Sequence, residues 1–271
     1  MSKTIFRNSF AENVFNFKYA KFPGETWAER AADIVEDVVG TQWGKSQALM
    51  CKEDKDQLEQ YIGKMQFIPG GRYIWYSGRG HSFWNNCFLL RAEEDTREEW
   101  GALMQRSVSC LMTGGGIGID YSILRPKGRH LSRTGGTASG PLPLMQMVNE
   151  AGRGVMQGGS RRSAIYASLN WKHEDINDFL IVKNWNALTK EQKALDFNYP
   201  APLDMTNISV NYDDASLGGY TKDVHGNIID SELSINPVFL SNVRQAMETG
   251  EPGFSFNFGD KQNETLRNAL T

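Results

Sequence analysis

Apolar and polar positions along this chain alternate between helix-like and strand-like stretches. From Trp27 to Val39 the apolar residues recur at three- and four-residue spacing, the period of a helix with one buried face. Thr26 stands where an N-cap belongs, and Gly40 ends the stretch. Residues 54–65 predict a second, mostly solvated helix. Residues 97–112 place Trp100, Met104, Ser107/Val108 and Leu111 along one face, which predicts an amphipathic helix. Residues 141–156 predict a buried helix, residues 173–183 a shorter one, and residues 237–248 a last one with proline at its start and Gly250 past its end.

Short apolar runs lie between these helices, at residues 85–90, 117–121, 165–169, 206–211 and 253–258, and predict strands. The alternation defines the class as α/β. The remainder carries less pattern. Residues 1–24 read as an aromatic, basic arm, residues 72–86 as an aromatic loop, and residues 184–204 as irregular. Residues 213–235 read as a surface hairpin or insertion around His225-Gly-Asn227.

Composition narrows the function classes. With 271 residues, 40% hydrophobic and 23% charged, the chain has ample length for a core and the balance of a soluble globular protein. A net charge of −3 argues against bulk attraction to nucleic acid. No window approaches the ~20 apolar residues of a membrane span, and the N-terminus lacks a signal-like run, so the expectation is a cytoplasmic protein with neither membrane nor nucleic-acid partner. Cys51, Cys87 and Cys110 lack CxxC spacing, which predicts neither a disulfide framework nor a zinc site. The four histidines are too scattered for a metal cluster, and no metal is expected.

Candidate chemistry gathers in glycine-rich segments. Leu111-Met-Thr-Gly-Gly-Gly-Ile-Gly-Ile-Asp120 is not a dinucleotide fingerprint, because Ile119 stands at the closing glycine position and the run follows a helix instead of opening one. It fits either a tight helix–strand turn or a backbone surface for a ligand. Gln157-Gly-Gly-Ser-Arg-Arg-Ser-Ala164 joins backbone freedom to two guanidinium groups that can fork onto phosphate or base edges, or stay solvated. Arg125, Lys127, Arg129 and Arg133 add positive charge within a long glycine-rich loop. Together they suit a small polyanion such as a nucleotide. Gly40-Thr-Gln-Trp-Gly-Lys-Ser46 is one residue short of a phosphate loop, and Asp223-Val-His225 lacks the closing glycine of a cobalamin pattern, since Ile228 occupies it. Cys87, at the start of an apolar run, reads from spacing alone as a buried, inert thiol.

Taken in order, Phe67-Ile-Pro-Gly-Gly-Arg72, Asn85-Asn-Cys-Phe-Leu-Leu90, Gly114-Gly-Gly-Ile-Gly-Ile-Asp120, Gln157–Ala164 and Asn268-Ala-Leu-Thr271 resemble the catalytic subunit of ribonucleotide reductases. The likeness is nearest to the adenosylcobalamin-dependent class in a compact form like those of phages, and it covers about residues 60–271. The resemblance implies the first half of a ten-stranded α/β barrel with effector loops over residues 61–271, preceded by an arm and helices over residues 1–60. It implies deoxyribonucleotide synthesis for DNA replication through a thiyl radical, with adenosylcobalamin as cofactor, an allosteric dNTP effector, a ribonucleotide as substrate (diphosphate or triphosphate), and a thioredoxin-like or dithiol reductant.

Residue by residue, the resemblance makes Cys87 one of two reducing cysteines and Asn268 a holder of the ribose hydroxyls. It places Asn86, Gly115, Gly116, Gln157 and Arg161 against the substrate, and Glu94, Arg125 and Arg133 at the effector. Leu270 stands where the family carries its radical cysteine. The expectation is therefore that this chain does not turn over alone and needs the C-terminal half of the reductase, as a second polypeptide or a same-chain continuation. The alternative is a nucleotide-binding module that has lost the radical chemistry.

Overall fold

A computed structural model describes residues 5–40, 50–80, 83–155 and 163–259, and the chain divides into two compact units, Met1–Asn86 and Cys87–Thr271. In the first unit, α1 (Ser9–Val14) is capped by Asn8, whose side chain accepts from the Ala11 N–H at 2.9 Å. A π turn over Phe15–Tyr19 follows. The arm expected over residues 1–24 is thus partly helical, and six residues of α-helix are too few to show a period. Helix α2 (Trp27–Val39) starts in a capping box, in which Thr26 Oγ accepts from the Glu29 N–H and the Glu29 carboxylate accepts from the Thr26 N–H.

Trp27, Ala31, Ile34 and Val35 of α2 bury against Phe15, Ile62 of α3 (Lys52–Gly63) and Ile74 of α4 (Gly71–Tyr76). The Trp27 indole N–H donates to the Ile62 carbonyl at 2.8 Å. Helix α4 lies at the start of the stretch that reads as an aromatic loop. Burial of Ile74 overrides the poor local propensity of Gly71, and residues 61–80 pack with the N-terminal helices.

The second unit is a run of strand–helix–strand crossovers. Strands β1 (Cys87–Arg91), β2 (Gly116–Asp120), β3 (Ile165–Asn170) and β4 (Thr206–Asp213) pair in parallel and in chain order. The crossovers are α5 (Arg97–Met112), α6 (Leu142–Gly154), and the pair α7 (Ile176–Ile181) and α8 (Ala187–Leu195). An antiparallel hairpin, β5 (Tyr220–Lys222) and β6 (Ile228–Ser231), then stands apart from the sheet. Helix α9 (Pro237–Thr249) leads to β7 (Gly253–Asn257), which adds in parallel beside β4. Five parallel strands in sequential order form an α/β wall of the barrel type expected from the sequence.

Helix α8 falls in the stretch read as irregular. Asn186 caps it, accepting from the Thr189 N–H at 2.8 Å, and its Ala, Leu, Lys, Glu and Gln are strong helix formers. Its polarity hid it. Helix α7 begins at Ile176, three residues later than the pattern suggests, because His173 and Asp175 are engaged in holding the preceding loop.

Side-chain alternation decides how the sheet sits. Ile117 and Ile119, Ile165, Ala167 and Leu169, and Ile208, Val210 and Tyr212 share one face. They pack in a single core with Leu103 and Leu111 of α5, Leu144, Met145 and Val148 of α6, and Phe179 of α7. Parallel strands buried on both faces usually read as continuous apolar runs. Here the other face is polar, carrying Asp120, Ser168, Asn170, Ser209, Asn211 and Ser255 in register. A one-residue slip would drive these groups into the core and eject the isoleucines, each worth about 1.5–3 kcal/mol when fully buried. Among the described residues no helix is long and apolar enough to cross a membrane.

Candidate functional site

The polar face of the sheet begins at Cys87. In the β1–β2 register Cys87 stands beside Gly116, and Leu89 stands beside Gly118. Adjacent strands lie about 4.8 Å apart, so Cys87 borders a stretch of β2 that carries no side chain on this face at two successive positions. Gly118 in turn pairs with Tyr166 of β3. The glycine run makes the tight helix–strand turn that its sequence allows. Gly114, at φ +82°, makes the left-handed turn out of α5, its N–H donating to the Leu111 carbonyl at 2.8 Å. Gly116 and Gly118, both buried, put no side chain on this face beside β1. Gly115 is buried and donates its N–H to the Cys110 carbonyl at 3.3 Å. Gly118 escaped the sequence reading, although its i+2 spacing from Gly116 was the signal.

Toward the carboxyl ends of the strands the same face holds a hydrogen-bond chain. The Asn211 amide donates to Ser168 Oγ at 3.0 Å, and Ser168 Oγ donates to Asp120 Oδ1 at 3.3 Å. The Ser122 hydroxyl donates to the same Asp120 oxygen at 2.5 Å and accepts from the Asn170 N–H at 2.8 Å. Satisfied polar groups of this kind fix geometry in a low-dielectric setting. None of the four was singled out from sequence, because their partners lie 43–48 residues away across the sheet, Ser122 with Asp120 excepted.

A second feature lies at the N-terminal end of α5. Thr96 caps the helix, accepting from the Glu99 N–H at 3.2 Å. Beside it a cavity of about 440 Å³ is lined by Asp95, Thr96, Glu98 and Trp100 on one side, and by Arg125, Arg133 and residues 137–140 of the basic loop on the other. The loop is built and held. The Gly128 N–H donates to the Ala138 carbonyl at 2.8 Å, the Ala138 N–H donates to the Arg129 carbonyl at 2.7 Å, and His130 bridges to Thr137. The Lys127 N–H donates to the Asp175 carboxylate at 2.9 Å, and Arg129 pairs with Glu174 at 2.6 Å. His173 lies 2.8 Å through Nε2 from the Leu124 carbonyl, while its Nδ1 accepts from the Asp175 N–H at 3.0 Å, which fixes the proton on Nε2.

Electrostatically the cavity is mixed. Arg97 above all, with a smaller pull from Arg133, holds the Glu98 carboxyl below its ordinary value. Arg125 donates from Nε to Asp95 Oδ2 at 2.5 Å and from Nη2 to the Asp95 carbonyl at 2.7 Å. A helix N-terminus together with arginines suits an anionic ligand.

The sequence-predicted residues thus fall in two groups. Cys87 and Gly116 come together on the sheet face. Arg125 and Arg133 come together at the cavity, with Glu94 exposed one residue before its lining. Asn86 lies in the first unit, its amide nitrogen 2.9 Å from where a β-carbon on Gly70 would sit. Gln157, Arg161, Asn268 and Leu270 lie outside the described residues. Of the other cysteines, Cys51 is exposed, and burial pushes the Cys110 thiol up, which keeps it protonated. Among the described residues no group of three or more His, Cys, Asp and Glu side chains could hold a metal ion.

Known proteins place this architecture. Residues 85–203 match the family described as ribonucleotide reductase, barrel domain. The structure resembles the class Id ribonucleotide reductase alpha subunit of Actinobacillus ureae, with a TM-score of 0.62 and 14% identity over 91% of this chain and 40% of that one. The segment over residues 85–203 is a ribonucleotide reductase large-subunit barrel domain. Among its relatives, a vitamin B12-dependent ribonucleoside-diphosphate reductase of Mycobacterium tuberculosis is 30% identical over 209 residues, covering 74% of this chain and 28% of the relative. The vitamin B12-dependent enzyme of Thermoplasma acidophilum is 26% identical over 208 residues, 74% of this chain and 25% of its own length. The large subunit of ribonucleoside-diphosphate reductase from Danio rerio is 30% identical over 209 residues, 73% of this chain and 25% of the relative. The chain spans about a quarter of the length of these curated relatives.

Proposed function

We propose that this chain supplies one wall of the active site, and a nucleotide-sensing cavity, to a ribonucleotide reductase. The observation that carries the reading is Cys87 in register with bare glycine backbone on the polar face of a parallel sheet, within the segment that matches the reductase barrel. In the overall reaction the ribose 2′ C–O bond breaks, a C–H bond forms and water leaves. Two thiols become a disulfide, and an external dithiol restores them. Cys87 supplies one of those thiols, and Gly116 with Gly118 lets the nucleotide lie against backbone. Asn86, Gly115, Gln157 and Arg161 serve the substrate, Asn268 its hydroxyls, and Glu94, Arg125 and Arg133 an effector nucleotide. Leu270 cannot carry a thiyl radical, so abstraction of the ribose hydrogen is not assigned to this chain's residue at that position.

The vitamin B12-dependent relatives favour adenosylcobalamin as the source of the radical. No step here is routed through that cofactor. The test has two arms on the full chain. Isothermal titration with dATP, dTTP and inorganic tripolyphosphate should show nucleotide binding that Arg125→Ala weakens. Assay with a C-terminal reductase polypeptide, adenosylcobalamin, a dithiol and a ribonucleotide should give deoxyribonucleotide that Cys87→Ala abolishes. Binding without turnover in the completed enzyme would favour a nucleotide-binding module, and absence of both would sink the proposal.

A further inference from the structure

We propose that Gly70, Tyr73 and Trp84 are positioning residues for Asn86, seating its carboxamide for the substrate without spending any of its hydrogen bonds. The inference rests on Asn86 contacting the substrate. All four residues belong to the first unit. Gly70 is the N-cap of α4, and residues 83–86 return alongside that helix. Rings zip the return to the helix. Phe83 meets Tyr76 edge-on with 5.9 Å between centroids, and Trp84 stacks on Tyr73 at 5.2 Å with the planes 20° apart. At the next rung the Asn86 amide nitrogen lies 2.9 Å from where a β-carbon on Gly70 would sit. Gly70 is fixed in turn by the helix it caps, its carbonyl accepting from the Tyr73 and Ile74 N–H groups at 2.9 and 3.3 Å.

Gly70 does not serve here through its backbone. Its φ of −56° and ψ of 148° suit any residue. What matters is the side chain it lacks, because Asn86 fills that space. The half-buried Asn86 side chain makes no hydrogen bond among the described residues. A carboxamide carries two N–H donors and an acceptor oxygen, so packing sets its place and its polar atoms are left for a ligand. Stacked rings and close approach thus supply order in advance, which a ligand would otherwise have to impose on binding. A β-carbon at Gly70 would meet the end of a side chain and no backbone within 3 Å, so Asn86 gives way while the fold stands.

The test pairs two measurements on the full chain. Proton–nitrogen NMR follows the Asn86 carboxamide cross-peak, which reads the seating whether or not the enzyme turns over. Steady-state kinetics with the C-terminal reductase polypeptide, adenosylcobalamin, a dithiol and a ribonucleotide read its use. Gly70→Ala should move the cross-peak and raise KM about threefold to tenfold, the worth of one hydrogen bond to the substrate, while kcat changes little. Serine caps a helix better than alanine, so Gly70→Ser separates the two roles of this position. It should lose as much as Gly70→Ala, because it also carries a β-carbon; recovery to wild-type KM would assign the effect to the cap and overturn the proposal. Trp84→Phe keeps a ring on Tyr73 and should stay near wild type, whereas Trp84→Ala should lose as Gly70→Ala does. The Gly70→Ala/Asn86→Ala double variant should match Asn86→Ala alone, because Gly70 acts through Asn86. An unmoved cross-peak in Gly70→Ala, or a KM that only Asn86→Ala raises, overturns the positioning role and leaves Asn86 as a substrate contact. A KM unaffected by Asn86→Ala overturns that contact and the positioning with it.

Discussion

Replacing Asp204 by Ala should cost the second unit about 3 kcal/mol of stability, and the structure shows why. Its carboxylate is fully buried and bound on both oxygens. Arg153 reaches Oδ1 through Nη2 and Oδ2 through Nη1 at 3.1 Å. Lys193 Nζ donates to Oδ2 at 2.5 Å, and the Asn149 amide donates to Oδ1 at 3.1 Å. The knot ties α6 to the α8–β4 connection. Truncation leaves the Lys193 ammonium, 11% exposed, with the Phe197 carbonyl and the nearby rings of Trp185 and Phe197. Breaking a buried pair from one side costs about 3–5 kcal/mol. The lower end applies because Arg153 keeps Glu150 at 2.9 Å and the Asn198 carbonyl at 3.0 Å.

Asp204→Asn should not rescue, since its amide nitrogen must face a cationic donor on one side or the other. Urea denaturation followed by tryptophan fluorescence and circular dichroism would read the loss as a midpoint shift of about 1 M at unchanged slope. The pH dependence gives a second readout. Burial pushes the Asp204 carboxyl up, but hydrogen bonds from Arg153, Lys193 and Asn149 outweigh it, and the group lies below its ordinary value of 3.8. A depressed carboxyl stabilises the fold above the unfolded-state value and loses that contribution as pH falls through the folded one. The gap between wild type and Asp204→Ala should therefore be full at pH 6 and shrink as pH is taken below about 4. A loss under about 1 kcal/mol, or a gap that does not move with pH, would refute the argument.

Two glycines give further checks. Gly140, at φ +78°, leaves no room for a β-carbon, which would sit 2.4 Å from Asp175 Oδ2 and 3.0 Å from the Lys127 nitrogen. Gly140→Ala should break the anchor of the basic loop, cost about 1–3 kcal/mol, and speed tryptic cleavage after Lys127, Arg129 or Arg133; unchanged protection would count against it. Gly152→Ala sets helix propensity, worth about 1 kcal/mol in favour of Ala, against a β-carbon 2.3 Å from Cδ1 of Ile165, which is 1% exposed. Overpacking should win by about 1–2 kcal/mol and Ile165→Val should return part of it; a raised melting temperature for Gly152→Ala would show that the core yields more easily than argued.

Local signals that need no distant partner were legible in the sequence. The Thr26 cap of α2, the span 97–112 of α5, and the Pro237 start and Gly250 end of α9 all follow from caps and period within one element. The α/β class followed from alternation, and the barrel wall from the resemblance. Short or polar helices were not legible: α4 forms because Ile74 finds a core, and α8 was hidden by its charge. The glycine run was half legible, since spacing announces bare backbone but not that Cys87 lies beside it.

What the sequence by itself determined is which face of each element turns inward, because hydrophobic periodicity is a property of neighbouring residues. Only the tertiary structure decided which groups meet. Asp95 clamps Arg125 from 30 residues away, Asp204 gathers Arg153 and Asn149 from 51 and 55, and Asn211 reaches Ser168 across 43. These pairings arise from strand order and register, and each polar partner by itself looks like any other solvated side chain until the sheet brings its mate within hydrogen-bond reach.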